Sequence, residues 1–330
     1  MERIYLQKST EKLSLSGGQL IHSEEGKELN RYPICMTEQV AVYGNGQITT
    51  QALKECLKEG VAVNYFNKYG IFLGRVEPDY PKNVRRRLEQ YRLYLDTGRK
   101  NRWIRELLKG KLQGELVEIR RLREQGYELK EREIRRVLRE GKKGLEKASA
   151  PGEMLGIEGN CARKYYEIFP CVLPHGAAWA GRRSHPAGDK VNALLSYVYV
   201  MTAQRIREEL ENRSLDVHCG FLHEPGYGGA GLEYDLLELF RATWCDHHAI
   251  RLMNHVKEVR TYVTGTGGEP RLPEEVRERI AEELHEKEGL VHGKHGRRFS
   301  DLLSEAADET IRCLKNDMEN PGYVKLHPER

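Results

Sequence analysis

The sequence predicts an α+β chain: a β-rich, β-sandwich-like N-terminal domain followed by an all-α domain. Three observations predict it. Up to Val76, apolar and polar side chains alternate between glycine turns. Pro78 and Pro81 then interrupt any continuous helix. Beyond them the apolar residues recur at helical spacing, with charged outer faces. The boundaries follow as a β-rich domain over 1–77, a linker over 78–83 and an α-helical domain over 84–330.

In the first domain, Leu13 and Leu15 alternate with polar residues, Gly17-Gly18 turns the chain, and Leu20-Ile21 resumes a strand. Val40-Ala41-Val42-Tyr43 ends at Gly44-Asn45-Gly46. Thr50 is placed to cap a short helix through Leu57, closed by Gly60. Val61–Phe66 and Ile71–Leu73 read as further strands. In the second domain, helices are predicted over Asn83–Leu108, Leu116–Leu145, Val191–Asn212, Leu232–Met253, Glu274–Glu286 and Phe299–Leu314. Thr261–Pro270 reads as a loop.

Composition narrows the class. At 330 residues the chain has length for two domains. Charged residues make up 32% of it and the formal net charge is +4, a balance that fits a soluble protein and does not by itself announce nucleic acid. The charge is uneven, with a basic stretch from Arg85 to Arg105 and an acidic one from Glu274 to Glu288. Seven scattered cysteines without a CxxC pair argue against a disulfide framework, which fits a reducing prokaryotic cytoplasm. The longest apolar stretch, Val191–Met201, is interrupted by Asn192 and Ser196. No run approaches a membrane span, and Met1-Glu2-Arg3-Ile4-Tyr5 lacks a signal-peptide core.

Two short stretches carry the chemistry. The first is Leu155-Gly156-Ile157-Glu158-Gly159-Asn160. The second runs from Phe221-Leu222-His223 through Tyr234-Asp235-Leu236-Leu237-Glu238-Leu239-Phe240-Arg241. Asp235 and Glu238 stand one helical turn apart in a helix that is apolar nearly all round, so they face the same way inside the protein. Buried carboxylates need a counter-charge. That charge is a divalent ion on one reading and Arg241 or another arginine on the other. Glu158 is placed near the start of a helix, where an acid either serves a site or complements the helix dipole. One histidine among carboxylates suits Mn²⁺ or Mg²⁺, although a single histidine alone reads equally as a hydrogen-bonded structural residue.

Two other patterns are weaker. Gly226-Tyr227-Gly228-Gly229-Ala230-Gly231 satisfies GxGxxG, but a dinucleotide site needs a surrounding βαβ unit and the flanking chain reads as helix. His218, Cys219, His223, Cys245, His247 and His248 offer zinc ligands at spacings that match no structural-zinc pattern. No GxxxxGK[ST] phosphate loop occurs. Tyr91, Tyr94 and Trp103 interleave with arginines, as stacking platforms for bases do, although on a helix such residues also read as core. Lys294-His295-Gly296-Arg297-Arg298 is a second basic candidate, either a DNA contact or a solvated loop.

In order and spacing, five blocks resemble the CRISPR-associated integrase family that inserts new spacers (CRISPR-associated protein one). They are Gly44–Thr50 with Gly70–Arg75, the run Leu155–Tyr166, Arg182-Arg183 with Asp189–Tyr197, Leu215–His223, and Tyr234–Arg241. The resemblance covers about residues 1–260 and weakens beyond. It implies catalytic and metal-binding roles for Glu158, His223 and Glu238, with Asp235 beside them in the metal set. It also implies supporting or DNA-contacting roles for Arg163, Tyr165, Arg183, Asn192, Arg241 and Asp246.

The implied activity is metal-dependent strand transfer with Mg²⁺ or Mn²⁺, joining prespacer 3′-hydroxyl ends to the repeat, with endonuclease chemistry at the same site. The implied partners are double-stranded DNA (prespacer and CRISPR repeat), a second copy bound through the 1–77 domain, and CRISPR-associated protein two, with no membrane. One departure is visible: relatives carry an arginine and a serine where this chain has Gly228-Gly229-Ala230-Gly231. Two other readings stand beside this one, a transposon-borne integrase relative and a non-catalytic DNA-binding scaffold whose acid cluster is salt-bridged.

Overall fold

The computed structural model describes residues 2–67, 72–77, 83–183, 187–225, 229, 231–288, 290, 297–315 and 322–327. Residues 78–82 of the predicted linker lie outside this set, as do Gly70, Ile71, Gly226, Tyr227, Gly228, Ala230 and residues 294–296 of the basic loop. The chain divides into two compact units, Met1–Pro81 and Lys82–Arg330.

The first unit contains β1 (Glu2–Leu6), β2 (Glu11–Ser16), β3 (Gln19–Glu24), β4 (Lys27–Pro33), β5 (Thr37–Tyr43), β6 (Gln47–Ile48), α1 (Thr50–Lys58), β7 (Ala62–Phe66) and β8 (Phe72–Val76). They form two four-stranded sheets, ordered β1-β5-β7-β8 and β4-β3-β2-β6. In the first sheet β1, β5 and β7 run parallel and β8 returns antiparallel. In the second, the β2–β3 hairpin turns at Gly17 and Gly18, whose φ angles of 57° and 74° favour glycine. Both sheets feed one core: Ile4, Leu6, Val40, Val42 and Val63 from one, Leu13 and Leu20 from the other, closed by Ala52 and Cys56 of α1. The cap of α1 is Thr49, whose hydroxyl accepts from Ala52 N at 3.2 Å, one residue earlier than the sequence suggests.

The second unit is helical: α2 (Val84–Leu95), α3 (Thr97–Glu124), α4 (Glu131–Lys147), α5 (Pro151–Tyr165), α6 (Phe169–Val172), α7 (Lys190–Asn212), α8 (Gly231–Phe240), α9 (His247–His255), α10 (Lys257–Thr264), α11 (Glu274–Glu288) and α12 (Phe299–Leu314). Helix α3 is the axis of its core, burying Trp103, Ile104, Leu107, Leu108, Leu112, Leu116 and Ile119. Among the described residues, no helix is long and apolar enough to cross a membrane. All seven cysteines are free.

Several boundaries differ from the predicted ones. The predicted helix Asn83–Leu108 breaks at Asp96, whose carboxylate caps α3 by accepting from Arg99 N at 3.0 Å. The predicted break between Leu108 and Leu116 is continuous helix. Its glycines are contact points: a Cβ on Gly110 would strike Leu239 and Tyr323, and one on Gly114 would pack at 3.4–3.5 Å against His327, Leu239 and Thr243. Pro151 opens α5, so Glu158 stands in mid-helix rather than at an N-terminus. A π-helical turn at Arg241–Asp246 divides the predicted helix Leu232–Met253, and α10 extends to Thr264, into the predicted loop.

Candidate functional site

The centre of the site is a buried lysine. Lys111, on α3, is 6% exposed and holds two carboxylates at once. Its Nζ bonds Glu158 Oε1 of α5 and lies 2.7 Å from Glu238 Oε2 of α8. Arg241 closes the other side of Glu238, with Nη2 3.0 Å from Oε1. Burial acts upward on Glu238, yet Arg241 and Lys111 outweigh it and hold the carboxyl at about 2. Helices α3 and α8 reach this separation because Gly110 carries no side chain: a Cβ there would stand 2.7 Å from Leu239 Cδ2 and 2.9 Å from Tyr323 Cβ.

Asp235 faces the same side of α8 as Glu238 but is fully engaged elsewhere. Its carboxylate accepts the backbone N–H groups of Phe221 (2.6 Å), Leu222 (3.1 Å) and His223 (2.8 Å), and His223 Nδ1 at 2.8 Å. It therefore folds the 221–223 loop against α8 and makes Nδ1 the donor, leaving Nε2 as the lone-pair nitrogen. Burial acts downward on His223, but the Asp235 hydrogen bond and charge, with the charge of Glu238, raise it. The same loop depends on two facing glycines. A Cβ on Gly231 would stand 2.4 Å from His223 O, and one on Gly220 would stand 2.5 Å from Gly231 C.

A cavity of about 640 Å³ opens beside this cluster. Lys111, Glu115, Glu158, Arg163, Arg182 and Arg241 line it, with Tyr165, Tyr166, Trp179 and Asp246. The π-helical turn carries Arg241 and Asp246 at its two ends, and such a turn is a common way to re-aim side chains at a site. Asp246 accepts from Tyr199 Oη at 2.6 Å through Oδ1, while its buried Oδ2 has no hydrogen-bond partner. Burial pushes Asp246 up to about 7 and Glu115 up to about 8. Arg182 is held by Asn192 Oδ1 at 3.0 Å and Ser196 Oγ at 3.2 Å.

Each candidate residue has a definite place. Glu158 and Glu238 share one cationic centre, and His223 is near enough to feel the charge of Glu238. Asp235 orients His223. Asn192 is wholly buried, receiving Arg182 and Arg183 N on Oδ1 and donating through Nδ2 to Gly181 O and Asp189. It therefore organises the 181–183 segment. Arg182, rather than the exposed Arg183, reaches the cavity. Arg163 lines the cavity from α5 and bonds Asn160 Oδ1 at 3.0 Å. Tyr165 is buried among aromatic rings, its hydroxyl without a partner.

Lys111 and Glu115 do not stand out among the many charged residues of α3. Their signal is that they fall on the apolar stripe of that helix, between Leu108, Leu112 and Ile119.

Glu158 and Glu238 converge on one cation, and carboxylate oxygens are the donors that Mg²⁺ and Mn²⁺ accept. Among the described residues, no three His, Cys, Asp or Glu side chains form a ready-made metal cage. The ammonium of Lys111 stands at the centre instead.

The secondary patterns resolve along structural lines. Trp103 is buried in the core, Tyr91 donates to Asp216 at 2.7 Å and Tyr94 to Glu224 at 2.6 Å. Arg86, Arg99 and Arg105 bond backbone carbonyls of the same unit, while Arg85, Arg92 and Arg102 remain exposed. His218, His247 and His248 each use Nδ1 on an oxygen at 2.8 Å. Helix α7 precedes the Gly226–Gly231 run and α8 follows it, so the run is not part of a βαβ unit.

Comparison with known proteins now adds to this geometry. The family model for CRISPR associated protein Cas1 matches residues 4–286. A curated relative from Thermus thermophilus, named CRISPR-associated endonuclease Cas1 3, is 29% identical over 326 residues, spanning 97% of this chain and 95% of that one. Among solved structures, a casposase bound to integration product superposes with a TM-score of 0.78 at 20% identity, covering 100% of this chain and 95% of that one. A Cas6-RT-Cas1–Cas2 complex chain superposes with a TM-score of 0.75 at 18% identity, covering 98% of this chain and 36% of that one. A family match over most of its length, on the α+β architecture described above, makes this chain a member of the CRISPR-associated protein Cas1 family.

Proposed function

We propose that the chain is a metal-dependent DNA integrase and endonuclease of CRISPR adaptation, joining prespacer 3′-hydroxyl ends to the CRISPR repeat by transesterification. The observation that carries this reading is the convergence of Glu158 and Glu238, from helices far apart in sequence, on one cationic centre at the wall of an arginine-lined cavity. The names of its relatives agree: one is an endonuclease, one structure holds an integration product, and one is a complex with Cas2. The partners proposed are double-stranded DNA, CRISPR-associated protein two and a second copy of this chain.

Glu158, Glu238 and His223 would hold Mg²⁺ or Mn²⁺. When bound, such an ion supplies Lewis acidity at the attacked phosphate and lowers the pKa of the attacking hydroxyl. Asp235 fixes the imidazole so that Nε2 keeps its lone pair. Arg163, Arg182 and Arg241 offset phosphate charge along the cavity, a contribution that added salt weakens. One phosphodiester replaces another, so the exchange needs no nucleotide energy source. Asn192 holds Arg182 in place and orders the segment that carries it.

The test is integration of prespacer DNA into a supercoiled plasmid bearing a repeat, with Mn²⁺ or Mg²⁺, with and without the Cas2 partner. Glu238→Ala should remain folded and lose at least about 100-fold in joined product; full activity in that variant would sink the assignment. The scaffold reading has its own support, since the acids are in fact salt-bridged by Lys111 and Arg241. It expects neither strand transfer nor stabilisation by Mn²⁺.

A further inference from the structure

Lys111 has no part in the chemistry above, yet it occupies the middle of the site. An ammonium buried this deeply is costly unless paired, and here it is paired twice. One helical turn further along α3, Glu115 lines the same cavity. It is 3% exposed, and its Oε2 has no hydrogen-bond partner. Asp246, within electrostatic range of Glu115, presents the buried and unpartnered Oδ2. Glu115 and Asp246 thus each bring an unpartnered oxygen to the cavity wall, while the lysine sits on Glu158 and Glu238.

Residues at i and i+4 of a helix are neighbours, and a lysine stem has four rotatable bonds. Nζ can therefore pass from Glu158 and Glu238 to Glu115 without movement of the backbone. It cannot stay where it is once a divalent ion takes the same oxygens, because two cations would then compete for two carboxylates in a poorly screened interior.

We propose that Lys111 is a tethered counter-ion that occupies the ion position between Glu158 and Glu238 and swings to Glu115 when a divalent ion enters. This rests on the reading of Glu158 and Glu238 as ion-holding residues. Metal binding becomes an exchange of one cation for another. The carboxylates keep their geometry before the ion arrives, and the displaced ammonium stays at the cavity wall, paired with Glu115. A lysine with only a structural role would need no second, unpartnered acid within reach.

The experiment measures Mn²⁺ affinity of the full chain without DNA, by electron paramagnetic resonance of the free ion. The wild type is compared with Lys111→Met, Glu115→Gln and the double variant. Removing the competing cation should tighten binding by about tenfold or more, and removing its destination should weaken binding several-fold. The double variant should match Lys111→Met, since Glu115 matters only while the lysine is present. Unchanged or weaker binding in Lys111→Met, or the same Glu115→Gln effect in both backgrounds, overturns the exchange.

If Mn²⁺ binds every variant equally, the exchange alone fails. If it binds none, the ion-holding reading fails with it. Should Lys111→Met unfold without metal, Glu115→Gln against wild type still decides: an unchanged affinity there overturns the proposal.

Discussion

At the residue scale, the site is governed by which carboxylate is already spent. The spacing of Asp235 and Glu238 was legible in the sequence, because residues three apart on a helix share a face. Which of the two remains available was not, since that depends on the 221–223 loop folding back against α8, a contact between residues 12 to 14 positions apart. Asp235 accepts four hydrogen bonds and cannot give up its oxygens without leaving backbone N–H groups bare. Asp235→Asn should therefore be more disruptive than its small change in shape suggests. One oxygen becomes an N–H₂ group facing donors, at a cost of about 1–3 kcal/mol, and His223 is left with at most a neutral amide oxygen in place of the carboxylate that fixes its tautomer. Strand transfer should fall by about 10–100-fold, the usual effect of losing such an orienting group. Thermal melting and the integration assay read the two effects separately, and a variant with wild-type values in both would show that the loop does not depend on Asp235.

At the element scale, long periodic stretches were legible and glycines were not. Strands β2, β3, β5, β7 and β8, and helices α7, α11 and α12, follow from alternation or helical periodicity, whereas β1, β4 and β6 were not read from the sequence. The breaks failed where glycine reads two ways. Gly110 and Gly114 look like interruptions, yet they are where α8, the π-helical turn and the segment at 323–327 press onto α3. Gly156 and Gly159 look like a loop before a helix, yet they stand inside α5 with open space around them. The distinction predicts opposite outcomes for the same substitution. Gly110→Ala forces a methyl against Leu239 and Tyr323 and should cost about 1–3 kcal/mol of stability. It should also separate Lys111 from Glu238. Gly156→Ala meets nothing within 4 Å and should stabilise α5 by about 0.5–1 kcal/mol. Chemical denaturation of both variants checks this; equal effects of the two would mean that α3 and α8 do not depend on close approach at Gly110.

At the scale of the whole helical unit, the segment over 322–327 is a fastener that the weak resemblance beyond residue 260 left unread. Tyr323 is fully buried against Trp103 and its hydroxyl meets Thr310 at 2.8 Å. His327 Nε2 donates to Leu239 O at 2.7 Å, and Gln113 donates to His327 O at 3.1 Å, so the segment ties α3 and α8 together behind the acid cluster. Burial lowers the His327 imidazole to about 4, with the Leu239 carbonyl acting against it. The consequence for stability has a definite sign. Below its ordinary value near 6.5 the unfolded chain binds a proton that the folded chain refuses until about pH 4. Between those values the unfolded state holds more protons, so stability rises with pH across this window and is lost on acidification. The full span corresponds to at most about 3 kcal/mol. His327→Gln keeps a donor for Leu239 O but cannot titrate. Its stability difference between pH 7 and pH 4, from urea melts, should be smaller than that of the wild type by about 2–3 kcal/mol. Superimposable pH profiles for the two proteins would mean that burial does not hold the His327 imidazole below its ordinary value.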